Sequence, residues 1–234
     1  MRMLELFSGS GVMAAAFSAE GFETTTIDIE PKYKPDYLMD LSATEFYDCP
    51  WDYQDYDVVW ASPPCTKFSV AAIGKNWIDG KPRNEETKQA IELVKNTIQI
   101  INTANPHFWF IENPRGMLRK QECMAQFTRN TVTYCQYGHT VMKPTDIWTN
   151  ACVQFKPPCS NGSPCHVRAS RGSKTGVQGI TGYAIRTRND GRKFQTSLHP
   201  GDITRYGNNA YERAIIPKEL CKFVAHWCAE ELKK

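Results

Sequence analysis

The stretch Leu4-Glu5-Leu6-Phe7-Ser8-Gly9-Ser10-Gly11 decides the fold class. Its apolar beginning predicts a strand over residues 3–7, and alanine-rich periodicity predicts a helix over 12–20, ending at Gly21. A strand, a glycine turn and a helix form the first half of a βαβ unit, which favours an α/β fold with a parallel sheet. Glycines also let the backbone approach a ligand at the amino terminus of the helix.

The second predicted strand, 22–27, places Asp28 at its carboxyl end. An acid about 20 positions after a glycine turn is suited to accept hydrogen bonds from ribose hydroxyls, although an ordinary solvated Asp is the alternative. The turn lacks the third glycine of Gly-x-Gly-x-x-Gly, and no Gly-Lys-Ser phosphate loop follows. The pattern therefore favours a cofactor that contains a nucleoside but no pyrophosphate.

Two further strand ends carry reactive side chains. The apolar run Val58-Val59-Trp60 leads into Pro63-Pro64-Cys65, and the two prolines stop the strand and stiffen the turn that presents the thiol. The alternative for Cys65 is the role of a small buried hydrophobe. Glu112 follows the apolar strand 108–111, where partial desolvation raises a carboxyl pKa and suits it to donate a proton. Its alternative role is a helix cap.

The composition is that of a globular chain of 234 residues with a net charge of +3, which permits a nucleic-acid partner without indicating one. The amino terminus has no signal-peptide pattern, and no apolar run approaches the roughly 20 residues needed to span a membrane. Nine cysteines form no compact framework. We therefore expect reduced cysteines and a cytoplasmic location, in the bacterial host if the gene is carried by a phage.

A change in composition marks residues 151–206 as a small irregular insert within a main domain of 1–150 and 207–234. A structural zinc ion held by Cys152, Cys159, Cys165 and His166 would explain how a segment with few apolar residues folds. Unmetallated thiols are the alternative, because the spacing is looser than paired Cys-x2–4-Cys. The insert has a local excess of basic residues: Arg168, Arg171, Lys174, Arg186, Arg188, Arg192 and Lys193.

The ordered motifs resemble those of the cytosine-C5 DNA methyltransferases, most closely the short phage-encoded members. The matching segments, in the family's order, are Leu6–Gly11, Ile27-Asp28-Ile29, Asp40, Pro63-Pro64-Cys65 with Phe68-Ser69, Glu112-Asn113, Tyr137-Gly138 with Lys143, and 214–220. Three positions depart from the family pattern. Pro114 stands where valine is usual, Thr145 replaces an arginine, and Arg213-Ala214 replaces Gly-Asn.

The resemblance implies a Rossmann-like S-adenosylmethionine-dependent methyltransferase fold with a small target-recognition insert, acting as a monomer on a cytosine flipped out of DNA. It implies that Cys65 is the nucleophile, that Glu112 grips and protonates the base, and that Lys143 assists. The implied cofactor-binding residues are Phe7, Ser8, Gly9, Gly11, Asp28, Ile29, Asp40, Leu41 and Pro63. The implied substrate-binding residues are Pro64, Lys67, Ser69, Arg83 and Asn113, although each cation among them and Lys143 is more often an ordinary surface charge.

Other functions stay open from the sequence. Ser62-Pro63-Pro64 is similar to the motif of enzymes that methylate exocyclic amines, but Cys65 then takes the place of the aromatic residue. A related branch methylates cytosine in tRNA with the same Cys and Glu, and a variant could use a modified donor or substrate. A non-catalytic DNA-binding relic of the fold predicts that binding survives replacement of Cys65 by alanine.

Overall fold

The computed structural model describes residues 1–42, 56–139, 142–160, 163–165, 183–187, 193–197 and 214–234. Eleven strands occur within them: β1 Arg2–Leu6, β2 Glu23–Asp28, β3 Tyr37–Leu38, β4 Val58–Ala61, β5 Trp77–Ile78, β6 Lys81–Pro82, β7 Phe108–Pro114, β8 Arg129–Thr133, β9 Pro144–Thr149, β10 Tyr183–Thr187 and β11 Lys193–Ser197. The α-helices of the same described part are α1 Val12–Ala19, α2 Ile73–Asn76, α3 Glu85–Ala104 and α4 Lys218–Glu231. Apolar residues at helical spacing, from Ala90 to Ala104, predict a helix over 85–104, and α3 confirms it.

Seven strands form one sheet in the order β3-β2-β1-β4-β7-β9-β8. Five neighbouring strands, β3, β2, β1, β4 and β7, are parallel, whereas β9 runs antiparallel to both of its neighbours. The mostly parallel sheet confirms the predicted α/β Rossmann-like fold. In register, Leu6 pairs with Ala61 and Ala61 with Ile111, so the segments that follow β1, β4 and β7 leave the same edge of the sheet.

Both faces of the sheet are covered, as a parallel sheet requires. On one face, Ile98 and Ile101 of α3 belong to a buried cluster with Leu6 of β1. On the other face, helices α1 and α4 pack against a second cluster that includes Trp60 and Phe110, whose rings stack with centroids 5.5 Å apart. Helix α3 begins at an Asn84 side chain that accepts a hydrogen bond from the Thr87 amide, a favourable N-cap.

Two segments differ from the strands that the sequence predicts. A strand is predicted over 131–137, but β8 ends at Thr133 and a 3₁₀ turn over Tyr134–Tyr137 follows. This turn ends at Gly138, whose φ of 81° suits glycine, and the hydroxyl of its first residue, Tyr134, reaches Glu112 of β7. A short strand is also predicted over 36–41, but it contains only the two residues of β3, at the edge of the sheet.

The predicted insert is described only in part. Ala151 and Val153 pack in the cluster on the α1 and α4 side of the sheet, and β10 pairs antiparallel with β11. Of the seven basic residues named above in the insert, all but Arg186 and Lys193 lie outside the described residues. No helix in the described part of the chain is long and apolar enough to cross a membrane.

Candidate active site

A cleft of about 140 Å³ opens at the edge of the sheet where β1, β4 and β7 end. Its walls come from the glycine turn after β1, the proline turn after β4, the end of β7 and the segment before α4. The lining residues are Glu5, Phe7, Ser8, Gly9, Ser10, Val12, Met13, Tyr33, Ser62, Pro63, Pro64, Cys65, Glu112, Pro114, Lys143, Ala214, Ile215 and Ile216. The three predicted catalytic residues, Cys65, Glu112 and Lys143, are therefore brought together in one cleft.

The glycine turn is held open by the acid at the end of β2. Phe7, Gly9 and Gly11 have φ values of 60°, 49° and 65°, a conformation that is costly for the one non-glycine residue. The Gly9 amide donates to Oδ2 of Asp28 at 2.7 Å, and the Glu30 amide donates to its Oδ1 at 2.9 Å. Asp28 therefore fixes two loops at the rim of the cleft.

The loop that carries Cys65 is clamped from the neighbouring strand. Asn113 is fully buried, and its Nδ2 donates to the carbonyl of Pro63 at 2.9 Å. The amides of Phe68 and Ser69 donate to the carbonyl of Cys65 at 3.0 and 2.9 Å. This closes a tight turn directly after the thiol. Asn113, predicted to bind substrate, therefore holds the backbone next to the nucleophile.

Gly116 also holds this loop, and the sequence analysis missed it. The Met117 amide donates to the Phe68 carbonyl at 2.7 Å, and Ser69 bridges Gly116 across the two segments. A Cβ atom at Gly116 would lie 2.1 Å from the Phe68 carbonyl oxygen, so no side chain fits there. The Glu-Asn-Pro-Arg-Gly run offered a signal, because a glycine two residues after Pro114 marks a close backbone approach.

Glu112 is buried at the floor of the cleft between two polar neighbours. The Tyr134 hydroxyl donates to its Oε1 at 2.8 Å, and the Lys143 Nζ lies 4.5 Å from the centre of the Tyr134 ring. Burial raises the pKa of Glu112, while the positive charge of Lys143 and the hydrogen bond from Tyr134 oppose the shift. Burial also raises the pKa of Tyr134, so its hydroxyl stays protonated as a donor. The sequence analysis missed Tyr134.

Glu5 is a second buried carboxyl in the cleft wall, and it was not predicted as a site residue. Its Oε2 accepts a hydrogen bond from the Ala14 amide at 2.8 Å. Burial raises the pKa of Glu5 to about 8, and the nearby charge of Asp28 adds to the shift. The signal for it was a lone acid inside the apolar run of β1.

Some predicted cofactor residues lie outside the lining of the cleft. Ile29 is 56% exposed beside the acid at the end of β2. Asp40 sits in an exposed turn and accepts a hydrogen bond from the Ser42 amide at 2.9 Å. Leu41 is buried in the cluster on the α3 side of the sheet. Their predicted roles toward a cofactor remain predictions.

The predicted substrate residues beyond Pro64 also lie outside this lining. The Lys67 ammonium is 3.8 Å from the carboxylate of Glu86 on α3. Arg83 donates to the carbonyl of Gly74 at 3.1 Å, within the segment that α2, β5 and β6 form. Both cations therefore have a partner within the protein, and their predicted contact with the substrate remains a prediction.

Three cysteines cluster outside the lining of this cleft. The Sγ atoms of Cys135, Cys159 and Cys165 all lie within 4.8 Å of one another. Two of them, Cys159 and Cys165, were predicted as zinc ligands. The exposed Cys152 is not part of the group, and His166 lies outside the described residues. Burial and the Cys159 thiol raise the pKa of Cys135 to about 12.

Two sequence comparisons find known proteins that this chain is similar to. The model of the family described as C-5 cytosine-specific DNA methylase matches residues 1–140. The Frog virus 3 (isolate Goorha) protein named "Probable DNA (cytosine-5)-methyltransferase" is 29% identical, over 77% of this chain and 91% of that protein.

Among solved structures, the Entamoeba histolytica methyltransferase EhMeth superposes with a TM-score of 0.56 at 11% identity, over 100% of this chain and 99% of that one. The S. pombe Dnmt2 methyltransferase gives a TM-score of 0.46 at 18% identity, over 66% and 51% of the two chains. The likeness to EhMeth is one of fold.

Proposed function

The chain belongs to the C-5 cytosine-specific DNA methylase family, and from that premise we propose that Cys65 and Glu112 carry out the methylation of cytosine C5 in DNA. The family membership confirms the resemblance found in the motifs, and the relative from Frog virus 3 also favours DNA over tRNA. The observation that carries the residue assignment is the meeting of Cys65, Glu112 and the glycine turn in one cleft.

S-adenosylmethionine is the methyl donor of such an enzyme, and the chain's own residues fit it. The left-handed turn at Gly9 and Gly11 presents bare backbone, since a Cβ at Gly11 would meet nothing within 4 Å. The buried Asp28 stands beside this turn and has carboxylate lone pairs for ribose hydroxyls. Phe7 and Ile216 add apolar walls. When bound, S-adenosylmethionine supplies the methyl group as an electrophilic sulfonium.

Cys65 begins the reaction by attacking C6 of the cytosine ring. Carbon 5 is a poor nucleophile, and a thiolate bond at C6 converts the ring to an enamine whose C5 then attacks the methyl group. The proline turn and the clamp from Asn113 hold the thiol at a fixed position, which lowers the entropic cost of this step. The bond between the Cys65 sulfur and C6 breaks by elimination once the C5 proton has left.

Glu112 supplies the proton that the attack on C6 requires at N3. Burial raises the pKa of Glu112, which favours the protonated carboxyl that a general acid needs. Lys143 and Tyr134 moderate that shift and orient the group. A water molecule, or a base dissolved in the solvent, accepts the proton that leaves C5. Because C5 and C6 are covered in a stacked duplex, the base must be flipped into the cleft.

DNA contact outside the cleft is assigned to Lys67, Arg83 and the segment 151–206. The cations of this segment suit phosphate contacts, which position the duplex without reading its sequence. Its small size favours a short or relaxed recognition site. We also propose a monomeric enzyme.

The proposal is tested with Cys65→Ser in the full chain. Serine is the weaker nucleophile, so formation of 5-methylcytosine in DNA should fall more than about 10³-fold while S-adenosylmethionine binding persists. Nucleosides from DNA and tRNA are measured by mass spectrometry, and cofactor binding by calorimetry. Cys123→Ser is the matched control, because Cys123 is half-buried outside the cleft. Near-normal turnover of Cys65→Ser, or methylation of tRNA alone, contradicts the proposal.

A further inference from the structure

We propose that Cys135, Cys159 and Cys165 form a structural zinc site, separate from the methyl-transfer cleft. The Sγ atoms of Cys135 and Cys159 are 3.0 Å apart, and those of Cys135 and Cys165 are 3.8 Å apart. All three atoms lie within 4.8 Å of one another. None of the three side chains lines the cleft, so the cluster has no part in the reaction proposed above.

The spacing of the sulfur atoms favours a metal over a disulfide. Tetrahedral zinc–thiolate bonds of about 2.3 Å place two sulfur atoms about 3.8 Å apart, which is the separation of Cys135 and Cys165. The Cys135 and Cys159 sulfur atoms have to separate by about 0.8 Å to reach it. A disulfide of about 2.05 Å joins only two thiols and leaves the third without a role.

The backbone around the cluster is fixed by contacts that do not involve sulfur. The Cys159 amide donates to the Thr133 hydroxyl at 3.0 Å, and the Lys156 amide donates to the Tyr137 hydroxyl at 2.9 Å. These bonds dock the start of the insert on the 3₁₀ turn that carries Cys135. The ligands are therefore brought together in advance, which reduces the entropy lost when a metal ion binds.

A metal at this position would compensate for the missing core of the segment. Val153 and the partly buried Phe155 pack in the cluster on the α1 and α4 side, but residues 156–158 and 160 are exposed, so apolar burial contributes little from residue 156 onward. Zinc binding free energy becomes folding free energy in such segments, since the unfolded chain has no formed site. Cys159 and Cys165 lie 24 and 30 residues from Cys135, and the metal would close both loops at once.

The ligand chemistry points to zinc among the divalent ions. Three soft thiolates select zinc over magnesium or calcium, which take oxygen ligands. The side-chain amide of Gln136 donates through Nε2 to the Cys165 sulfur at 3.6 Å. Outer contacts of this type stabilise a metal-bound thiolate. The three thiolates fill three of the four positions of tetrahedral zinc, and solvent supplies the fourth ligand.

The site also adjoins the machinery of the reaction. Cys135 directly follows Tyr134, whose hydroxyl donates to Glu112. A metal ion on Cys135 therefore anchors the turn that positions this tyrosine, and its loss should loosen the turn.

The test begins with the full chain purified under reducing conditions without chelator. Elemental analysis should find about one zinc per chain. After removal of zinc under anaerobic conditions, addition of Co²⁺ alone should produce a thiolate-to-cobalt charge-transfer band that saturates at about one equivalent. Zinc should then displace the cobalt and abolish the band.

Single variants assign the ligands. Cys135→Ser, Cys159→Ser and Cys165→Ser should each lower zinc content more than about ten-fold, whereas Cys152→Ser, a matched control in the same segment, should keep it. If a ligand variant fails to fold, alkylation mapping of the wild type gives the same assignment. The three ligand thiols should be protected from alkylation in zinc-loaded protein and exposed after chelation.

Three results would overturn the proposal. The first is wild-type protein with less than about 0.2 equivalents of zinc and no cobalt band. The second is a mass 2 Da lower with Cys135 and Cys159 joined in a disulfide peptide. The third is zinc that is lost equally in Cys152→Ser.

Discussion

Glu5 and Glu112 are two buried carboxyl groups on neighbouring parts of one sheet, and the side chains that surround them differ. They lie on β1 and β7 with β4 between them, and both line the same cleft. Both follow residues of the cluster on the α1 and α4 side by two positions, so both side chains face that side. Each raises the pKa of the Cys221 thiol on α4, in addition to the larger effect of burial.

The two groups differ in their partners. The charge of Asp28 raises the pKa of Glu5 further, and its one hydrogen bond comes from the Ala14 amide of helix α1. Glu112 has the Lys143 cation and the Tyr134 hydroxyl, which both favour its ionised form. These two partners ease the loss of the Glu112 proton. The Tyr134 hydroxyl also orients the Glu112 carboxyl group.

The comparison teaches that burial alone does not make a carboxyl group catalytic. Desolvation raises the pKa of both groups, but only Glu112 has a cation and a hydroxyl donor among its partners. Glu5 instead ties the first turn of α1 to β1, and so holds the glycine turn in shape.

The largest expected effect comes from replacing each acid by its amide. Glu112→Gln removes the proton donor and should lower the rate of methylation about 10²- to 10⁴-fold, while the fold is retained. Glu5→Gln keeps an oxygen for the Ala14 amide and should leave the rate within about three-fold. Single-turnover methylation at saturating S-adenosylmethionine measures both. Equal losses in the two variants would remove the distinction.

A smaller effect is expected from Tyr134→Phe. Loss of the hydrogen bond should lower the rate about ten-fold, because Glu112 loses its orientation. The bond favours the ionised form of Glu112, so its loss raises the pKa of Glu112 further. The decline of the rate at high pH, where Glu112 loses its proton, should therefore move to higher pH. Tyr137→Phe, in the same turn, is the control. A lower rate with an unmoved pH profile would show that Tyr134 is only structural.

The smallest effect on turnover, but a distinct effect on stability, is expected at Glu5. The unfolded chain loses this proton near pH 4.5, whereas the folded protein keeps it up to about pH 8. The free energy of unfolding therefore falls as pH rises through this window, by up to about 1.4 kcal/mol per pH unit. Glu5→Gln has no proton to lose, so its stability should change less with pH.

Urea unfolding at pH 5.5, 6.5 and 7.5 checks this expectation. Glu122→Gln is the control, because Glu122 is exposed on the surface. Parallel pH profiles for the wild type and Glu5→Gln would mean that Glu5 ionises as an ordinary surface acid.

Much of the site was predictable because its chemistry is carried by local motifs. Pro63-Pro64-Cys65 stops a strand by covalent constraint. The apolar run 108–111 predicts Glu112 directly after a strand, whereas β7 continues to Pro114, so this acid lies within the strand, two residues before its end. Since parallel strands end at one edge of the sheet, these predictions together place both residues in one cleft. Tyr134 and Gly116 were missed because their roles arise from contacts between segments distant in sequence from their partners, Glu112 and Phe68.

The cysteines separate what the sequence determines from what the tertiary structure decides. Sequence alone determined the α/β class and the order of the motifs, and it predicted Cys65 as the nucleophile, because periodicity, prolines and glycines act on neighbouring residues. Only the tertiary structure decided that Cys135, rather than Cys152, joins Cys159 and Cys165. The physical reason is the turn after β8, which carries Cys135 across to a segment more than 20 residues away, a distance at which spacing holds no information.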